Sequence, residues 1–212
     1  MYFLITTIHN QHTRWARVKA HLEQTLGEGE VYPILAPDRD MFKHTTLNPK
    51  QYKQQSLTLA YFQAAQTALF LGLDDYVVLE DDVLISHENE LFDLEVFMPE
   101  NFDLVYLTRT KHNSESAEVL PYDQYFDIVV GNYWETPITA WSIKFAKEFI
   151  AHVQSKLKES LWLGHIDHEL MKLCETKKYY FYASKQQVAL GLSNVEQSEM
   201  SKEGSIHLDV IS

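Results

Sequence analysis

Residues 76–79, Tyr-Val-Val-Leu, are apolar at every position and run straight into Glu80, Asp81 and Asp82. Successive side chains of a strand point to opposite faces. Four consecutive apolar residues therefore need cover on both sides, which predicts a strand in the middle of a sheet sandwiched between helices. A chain of 212 residues is long enough to build such a core as one domain. No break in composition divides it, so a single domain over 1–212 is expected.

The flanking pattern agrees. Residues 2–7 read as a buried strand, Thr13 as the cap of a helix running to Leu26, and residues 30–35 as a strand that Pro33 assigns to an edge. Ser56 is read as the cap of a helix carrying Leu57, Ala60, Tyr61, Ala64, Ala68 and Leu71 at helical spacing, stopped by Gly72. A helix over 88–98 and a strand over 102–107 follow. Strand and helix alternate, which predicts an α/β sandwich with a mostly parallel central sheet. Beyond a polar loop from Arg109, strands are expected at 125–130, 137–141, 179–183 and 187–190. Helices are expected after Ser142 and over 166–173.

Charge is unevenly distributed. The formal net charge is −12. Between Lys53 and Arg109 there are eleven acidic residues and no lysine or arginine. Such acidity weighs against a protein whose whole surface binds nucleic acid or anionic membranes. Six lysines between Lys156 and Lys185 leave room for a modestly basic surface. The single cysteine, Cys174, excludes an intrachain disulfide and a cysteine-rich zinc site, and its apolar neighbours predict a buried thiol. The N-terminus lacks the pattern of a secretion signal, and no uncharged apolar run is long enough to cross a bilayer. A soluble, cytoplasmic protein is expected.

In open α/β sheets, ligands bind beyond the carboxyl ends of the strands, where Glu80-Asp81-Asp82 falls. Alternation directs Glu80 and Asp82 to one side and Asp81 to the other. Two like charges about 4 Å apart repel by roughly 4 kcal/mol at an effective dielectric near 20. A divalent cation relieves this, and Mg²⁺ or Mn²⁺ suits one or two carboxylates together with substrate phosphates. The alternative is a solvated acidic turn, or pairing with a distant lysine.

The segment Val77-Val78-Leu79-Glu80-Asp81-Asp82-Val83 resembles the Leu-Glu-Asp-Asp-Val signature of glycosyltransferase family 25, which includes lipopolysaccharide sugar transferases and collagen galactosyltransferases. Other segments are similar to that family in the same order. They are the first strand with the helix bearing Arg14 and Arg17, Tyr32–Asp38, the helix before the acidic motif, Phe102–Leu107, Thr139-Ala140-Trp141-Ser142, and Ile166-Asp167 with Leu170. The chain departs from the family at Ala60-Tyr61, where Ser-His is usual.

The resemblance implies a GT-A-type, Rossmann-like αβα fold. It implies metal-dependent transfer of a sugar from a nucleotide sugar to a hydroxyl acceptor, with inversion. Glu80 and Asp82 would bind Mn²⁺ or Mg²⁺, with Glu80 also reaching the ribose, and His207 would add a C-terminal ligand. Thr6, Thr7, Arg14, Ala36, Asp38 and Asp81 would surround the nucleotide sugar. Asp167 would be the base on the acceptor hydroxyl, although a first-turn aspartate also stabilises a helix N-terminus. His165 and His168 would contact the acceptor, and Trp141 would stack on its sugar ring or else belong to the core. The acceptor would be a glycan such as lipopolysaccharide core; a protein or a nucleic acid is the less favoured alternative. Two other functions use the same residues: a metal-dependent nucleotidyltransferase or phosphohydrolase, and an inactive GT-A-fold binding module.

Overall fold

The computed structural model describes residues 3–8, 12–26, 31–37, 47–81, 83–85, 98–109, 116–134, 137–159, 162–185 and 189–191. Its strands are β1 (Phe3–Ile8), β2 (Val31–Ala36), β3 (Asp75–Glu80), β4 (Val83–Ile85), β5 (Leu104–Tyr106), β6 (Glu118–Pro121), β7 (Phe126–Gly131), β8 (Ile138–Ser142), β9 (Phe181–Ser184) and β10 (Ala189–Gly191). The helices are α1 (His12–Leu26), α2 (Pro49–Leu71), α3 (Ile143–Glu159) and α4 (Ile166–Glu175).

Eight strands form one sheet in the order β2-β1-β3-β8-β5-β9-β7-β6. β3 lies inside it and Pro33 lies on an edge strand, as the sequence predicts. The sheet is mixed, however, and not mostly parallel. β1 is parallel to β2 and β3, and β5 to β9. β8 is antiparallel to β3 and β5, and β7 to β9 and β6. For β6 and β7 the reason is the connection: a short turn joins them, whereas parallel neighbours need a crossover of a dozen or more residues.

Both faces of β3 are covered. Tyr76 and Val78 join the core beneath α2, α3 and α4, together with Leu104, Tyr106, Trp141 and Phe181. Val77 and Leu79 join a second core against Val18 and Leu22 of α1. The αβα layering is thus present, with the two periodicities of strand and helix visible in which residues are buried. Trp141, fully buried, packs on Tyr61, Tyr76, Phe145 and Phe149, with ring centroids 5.0–6.2 Å away.

α2 starts earlier than Ser56. Asn48 accepts from the Gln51 N–H and the Gln51 side chain answers to the Asn48 N–H, with Pro49 in the first turn. This reciprocal capping satisfies two amides that would otherwise be orphaned. Ser56 instead donates to the Pro37 carbonyl at 2.7 Å, tying α2 to the end of β2. Gly72 closes the helix in the left-handed region, φ 68°, which costs least at glycine. The cap expected from Ser142 is present: its Oγ accepts from the Phe145 N–H at 3.2 Å. The helix expected over 88–98 lies outside the described residues except at Met98, which is not helical.

Candidate functional site

Six strands of the sheet bring their carboxyl ends to one side: β1, β2 and β3, then β5 and β9 beyond the reversed β8, and β6 at the edge beyond the reversed β7. In this fold class that end is where ligands sit. Residues far apart in sequence meet there. Thr6 of β1 is in register with Ile34 of β2 on one side and Glu80 of β3 on the other, and Ile8 is opposite Ala36. Thr7 follows Thr6 on the same strand. Glu80 is half-buried and Asp81 is buried, in keeping with opposite directions for the two side chains. The Glu80 N–H donates to the Pro137 carbonyl at 2.9 Å, which fixes the strand end against the start of β8.

For Thr6, Thr7 and Arg14 the backbone alone is described; Arg14 lies in α1. Asp38, Asp82 and His207 lie outside the described residues. β10 nevertheless pairs antiparallel with β4, and Gly191 is opposite Val83. The chain that leads on to His207 therefore passes beside the residue that follows Asp82.

A second group of sequence-selected residues gathers at α4. Asp167 is buried, and its Oδ2 lies 3.2 Å from Nδ1 of His165. Its Oδ1 is enclosed without a hydrogen-bond partner. Its charge, after burial, contributes to raising the Tyr106 hydroxyl well above the ordinary tyrosine value. Asp167 is therefore within electrostatic reach of the Tyr106 hydroxyl, which extends from β5 into the helix layer. Strands β3 and β5 are separated by β8 alone, so two strand spacings, about 10 Å, part them.

His168 is exposed. Its ring meets Trp134 edge-on at 4.9 Å and lies 6.5 Å from the His165 ring. Trp141 does not belong here. It is fully buried, and its Nε1–H donates to Thr139 Oγ1 at 2.7 Å, so the expected stacking on an acceptor sugar is corrected to a core role. The tryptophan beside the two histidines is Trp134, which the sequence reading missed. A faint signal was there: Asn132-Tyr133-Trp134 directly follows a strand. Asn132 takes φ 46°; its Oδ1 accepts from the indole Nε1–H at 2.6 Å and its Nδ2 donates to the Ser116 carbonyl at 2.7 Å.

Glu169 was also missed. It is fully buried and anchors the start of α4 to α3: His152 Nε2 is 2.7 Å away, Lys172 Nζ 2.9 Å and Lys156 Nζ 3.8 Å. Burial alone would raise its carboxyl. The hydrogen bonds from His152 and Lys172 and the lysine charges outweigh burial and lower it to about 2. A Cβ on Gly164 would come within 2.8 Å of the Glu169 Oε1, so a larger residue there would have to displace that carboxylate from its partners. The Gly164 carbonyl accepts from Thr58 Oγ1 of α2 at 2.7 Å, which holds the approach to His165.

At the far side of the same sheet end, Asp127 holds Arg109 at 2.7 Å and Lys185 at 3.3 Å. Three of the six lysines between 156 and 185 are therefore engaged in ion pairs with Glu169 or Asp127, which diminishes them as a basic surface. Cys174 is buried as expected, and burial pushes its thiol up to about 11; it is no nucleophile at neutral pH.

Among the described residues, no three of His, Cys, Asp and Glu cluster to hold a metal. A site of one or two carboxylates completed by diphosphate oxygens needs no such cluster. The hard oxygens of Glu80, with Asp82 two residues on, are compatible with Mg²⁺ or Mn²⁺. No helix among the described residues is long and apolar enough to cross a membrane.

No family model matches the sequence, and no curated protein matches it. Solved structures do match by fold. The glycosyltransferase GlyE of Streptococcus pneumoniae TIGR4 is similar over 86% of this chain and 45% of its own, with 13% identity and a TM-score of 0.52. A197 from STIV is similar over 89% and 83%, with 15% identity and a TM-score of 0.51. A CMP:2-keto-3-deoxy-manno-octonic acid synthetase complexed with CTP is similar over 88% and 92%, with 10% identity and a TM-score of 0.50. The fold is thus the Rossmann-like α/β type shared by GT-A glycosyltransferases and nucleotidyltransferases. At these identities the likeness is one of fold.

Proposed function

We propose that the protein is a metal-dependent glycosyltransferase of the family 25 type. It moves a sugar from a nucleotide sugar to a hydroxyl of a glycan acceptor, such as lipopolysaccharide core, with inversion. The observation that carries this reading is the meeting of Thr6, Ala36, Glu80 and Asp81 at one sheet end. In this reading Thr6, Thr7, Arg14, Ala36, Asp38 and Asp81 surround the nucleotide. Glu80 and Asp82, with His207 brought round from the C-terminal segment, hold Mn²⁺ or Mg²⁺. The bound cation supplies charge neutralisation for the diphosphate leaving group. The protein's own contribution is to hold donor and acceptor in line and to keep a carboxylate, Asp167, behind the acceptor hydroxyl.

Thermal-shift titration tests the donor side. A nucleoside diphosphate should stabilise the protein only when Mn²⁺ or Mg²⁺ is present, and Asp82→Asn should abolish that coupling. A metal-dependent shift that survives in Asp82→Asn would falsify the metal site.

The likeness to a CMP-sugar synthetase over 92% of that chain supports a second reading, nucleotidyl transfer. The products separate the two. Sugar transfer releases a nucleoside diphosphate from a nucleotide sugar, whereas nucleotidyl transfer releases pyrophosphate from a nucleoside triphosphate.

A further inference from the structure

We propose that Trp134, with His168 standing against it, is the platform on which the terminal sugar of the acceptor sits, and that this sugar is uncharged. This rests on the sugar-transfer reading and adds to it the residue that stacks on the acceptor and the class of sugar it takes.

The segment after β7 is fixed by its neighbours on both sides of Trp134's backbone. Asn132 takes φ 46°, which asparagine tolerates better than most side chains, and its Nδ2 donates to the Ser116 carbonyl at 2.7 Å. The buried Tyr133 lays its ring against Tyr106, centroids 4.4 Å apart, and its hydroxyl donates to the Thr108 carbonyl at 2.9 Å. The indole N–H of Trp134 is held in turn by the Asn132 Oδ1 at 2.6 Å. Its ring is nevertheless only half-buried. A tryptophan that served the core would be closed over, as Trp141 is. An indole fixed in orientation before anything binds, with part of its surface in water, suits a stacking contact, because little rotamer freedom is left to lose.

The exposed ring of His168 meets the indole at 81°, with centroids 4.9 Å apart. Two rings near a right angle form a corner. A pyranose has an apolar C–H face that packs on one such ring and a rim of hydroxyls that meets the other. The His165 ring lies 6.5 Å from that of His168. Its Nδ1 accepts from the Asp167 N–H at 3.4 Å and caps α4, so the neutral ring keeps Nε2–H as its donor. The corner is tethered to the acidic strand end. Trp134 stands three residues before Pro137, a span of at most about 11 Å, and the Pro137 carbonyl accepts from the Glu80 N–H at 2.9 Å.

Charge selects the class of sugar. A helix N-terminus ordinarily attracts anions, but the first turn of α4 carries Asp167 and Glu169. The Asp167 carboxylate lies 3.2 Å from the His165 ring, and its Oδ1 has no hydrogen-bond partner. Lys156 and Lys172, the lysines that could offset it, are held by Glu169. A phosphate or carboxylate on the sugar would meet this negative charge at close range, whereas a neutral hexose would not.

Two measurements test this. In the first, the full chain with Mg²⁺ and a nucleoside diphosphate is titrated with methyl hexosides, with hexose phosphates and hexuronic acids, and with a free nucleoside, while the indole N–H signals are followed by nitrogen-15 NMR. The Trp134 signal is assigned by its loss in Trp134→Phe. It should move with at least one methyl hexoside and less with the acidic counterpart of that sugar. No movement with any hexoside up to about 0.1 M overturns the platform, as does movement with the nucleoside in place of every sugar. A stronger response to the acidic counterpart overturns the uncharged class. The second measurement is transfer from a panel of nucleotide sugars to the same hexosides. Trp134→Ala should raise the KM for the acceptor on the order of 10-fold and leave the donor KM and the metal-dependent thermal shift with nucleoside diphosphate in place. Asn132→Gly, which keeps φ 46° accessible but releases the indole, should raise the acceptor KM by a smaller factor. An acceptor KM unchanged in both variants sinks the platform and spares the transferase reading. If wild type transfers no sugar while the Trp134 signal moves with a hexoside, the transferase reading falls and the sugar-binding corner stands.

Discussion

The two halves of the sheet are built by different rules. In β2, β1 and β3 every strand runs the same way and every connection is a helix, α1 or α2. Ala36, Thr6 and Glu80 come together there because parallel strands align their ends. In β8, β5, β9, β7 and β6 the directions are mixed, and polar pairs hold the connections. Asp103, Asp127, Asp167 and Glu169 are all buried in this second half, whereas Asp81 is the buried acid of the first among the described residues. Aligned strand ends make a floor for a nucleotide from backbone geometry alone. A mixed half must fix its loops with buried carboxylates, and Asp103, Asp127 and Glu169 are held by partners distant in sequence.

If the halves are one cooperative unit, the residue at their seam should show it with the largest effect. Trp141 of β8 packs on Tyr61 and Tyr76 from the first half and on Phe145 and Phe149 from the second. Trp141→Ala should cost about 4 kcal/mol through lost burial and the cavity left behind, read from urea unfolding. Amide exchange should accelerate in β1–β3 and in β5–β9 together. Acceleration in one half alone would mean that the halves unfold separately.

A smaller effect should stay closer to one half. Glu169→Ala leaves His152, Lys156 and Lys172 without their shared carboxylate, at a cost of about 3 kcal/mol. Exchange should rise first in α3 and α4. The pH dependence has a definite sign. The folded carboxyl sits near 2, below its unfolded value near 4.3. Its stabilisation is therefore fully present above the unfolded value and is lost as pH falls from there toward 2. Glu169→Gln should remove that slope, so wild type and variant should converge in stability as acid is added. Curves that stay parallel through this window would show that Glu169 is not the titrating anchor.

The same contrast explains what was legible in the sequence. Tyr76–Leu79 could be placed at the centre of the sheet because burial on both faces is a local pattern, and helix–strand alternation gave the order of the first half. Carrying that alternation past β5 produced the mostly parallel sheet. Nothing local says that β8 turns back between β3 and β5. The site divided in the same way. Glu80 stood out by type and position, and Asp167 through the resemblance to family 25. Trp134 did not, because its role depends on Asn132 adopting φ 46° and on His168 arriving from α4. Trp141 looked equally able to stack on a sugar or to fill the core, and only tertiary packing distinguishes these. Glu169 carries no local signal, since its partners on α3 lie far back in the chain.

The smallest effect concerns the entry to α2, where a signal in the sequence went unused. Asn48-Pro49-Lys50-Gln51 carries a cap, a proline in the first turn and the answering Gln51, yet Ser56 is the more conspicuous candidate because the apolar spacing begins beside it. The structure gives these residues different work. Asn48 satisfies an amide of the helix end, while Ser56 reaches across to Pro37 at the close of β2. Asn48→Ala should cost about 1 kcal/mol. Gln51→Ala should cost less, and a double-mutant cycle should show coupling, because each side chain answers to the other's backbone. The loss should appear as fraying of the first turns of α2, with the amides from Ser56 onward keeping their protection. Ser56→Ala should leave the helix start protected and loosen the end of β2 next to Ala36. If Asn48→Ala instead exposed the amides of the β1–β3 ends, the helix cap and the nucleotide floor would be one structural unit, and the simplicity of the parallel half would owe more to its polar contacts than its strand alignment suggests.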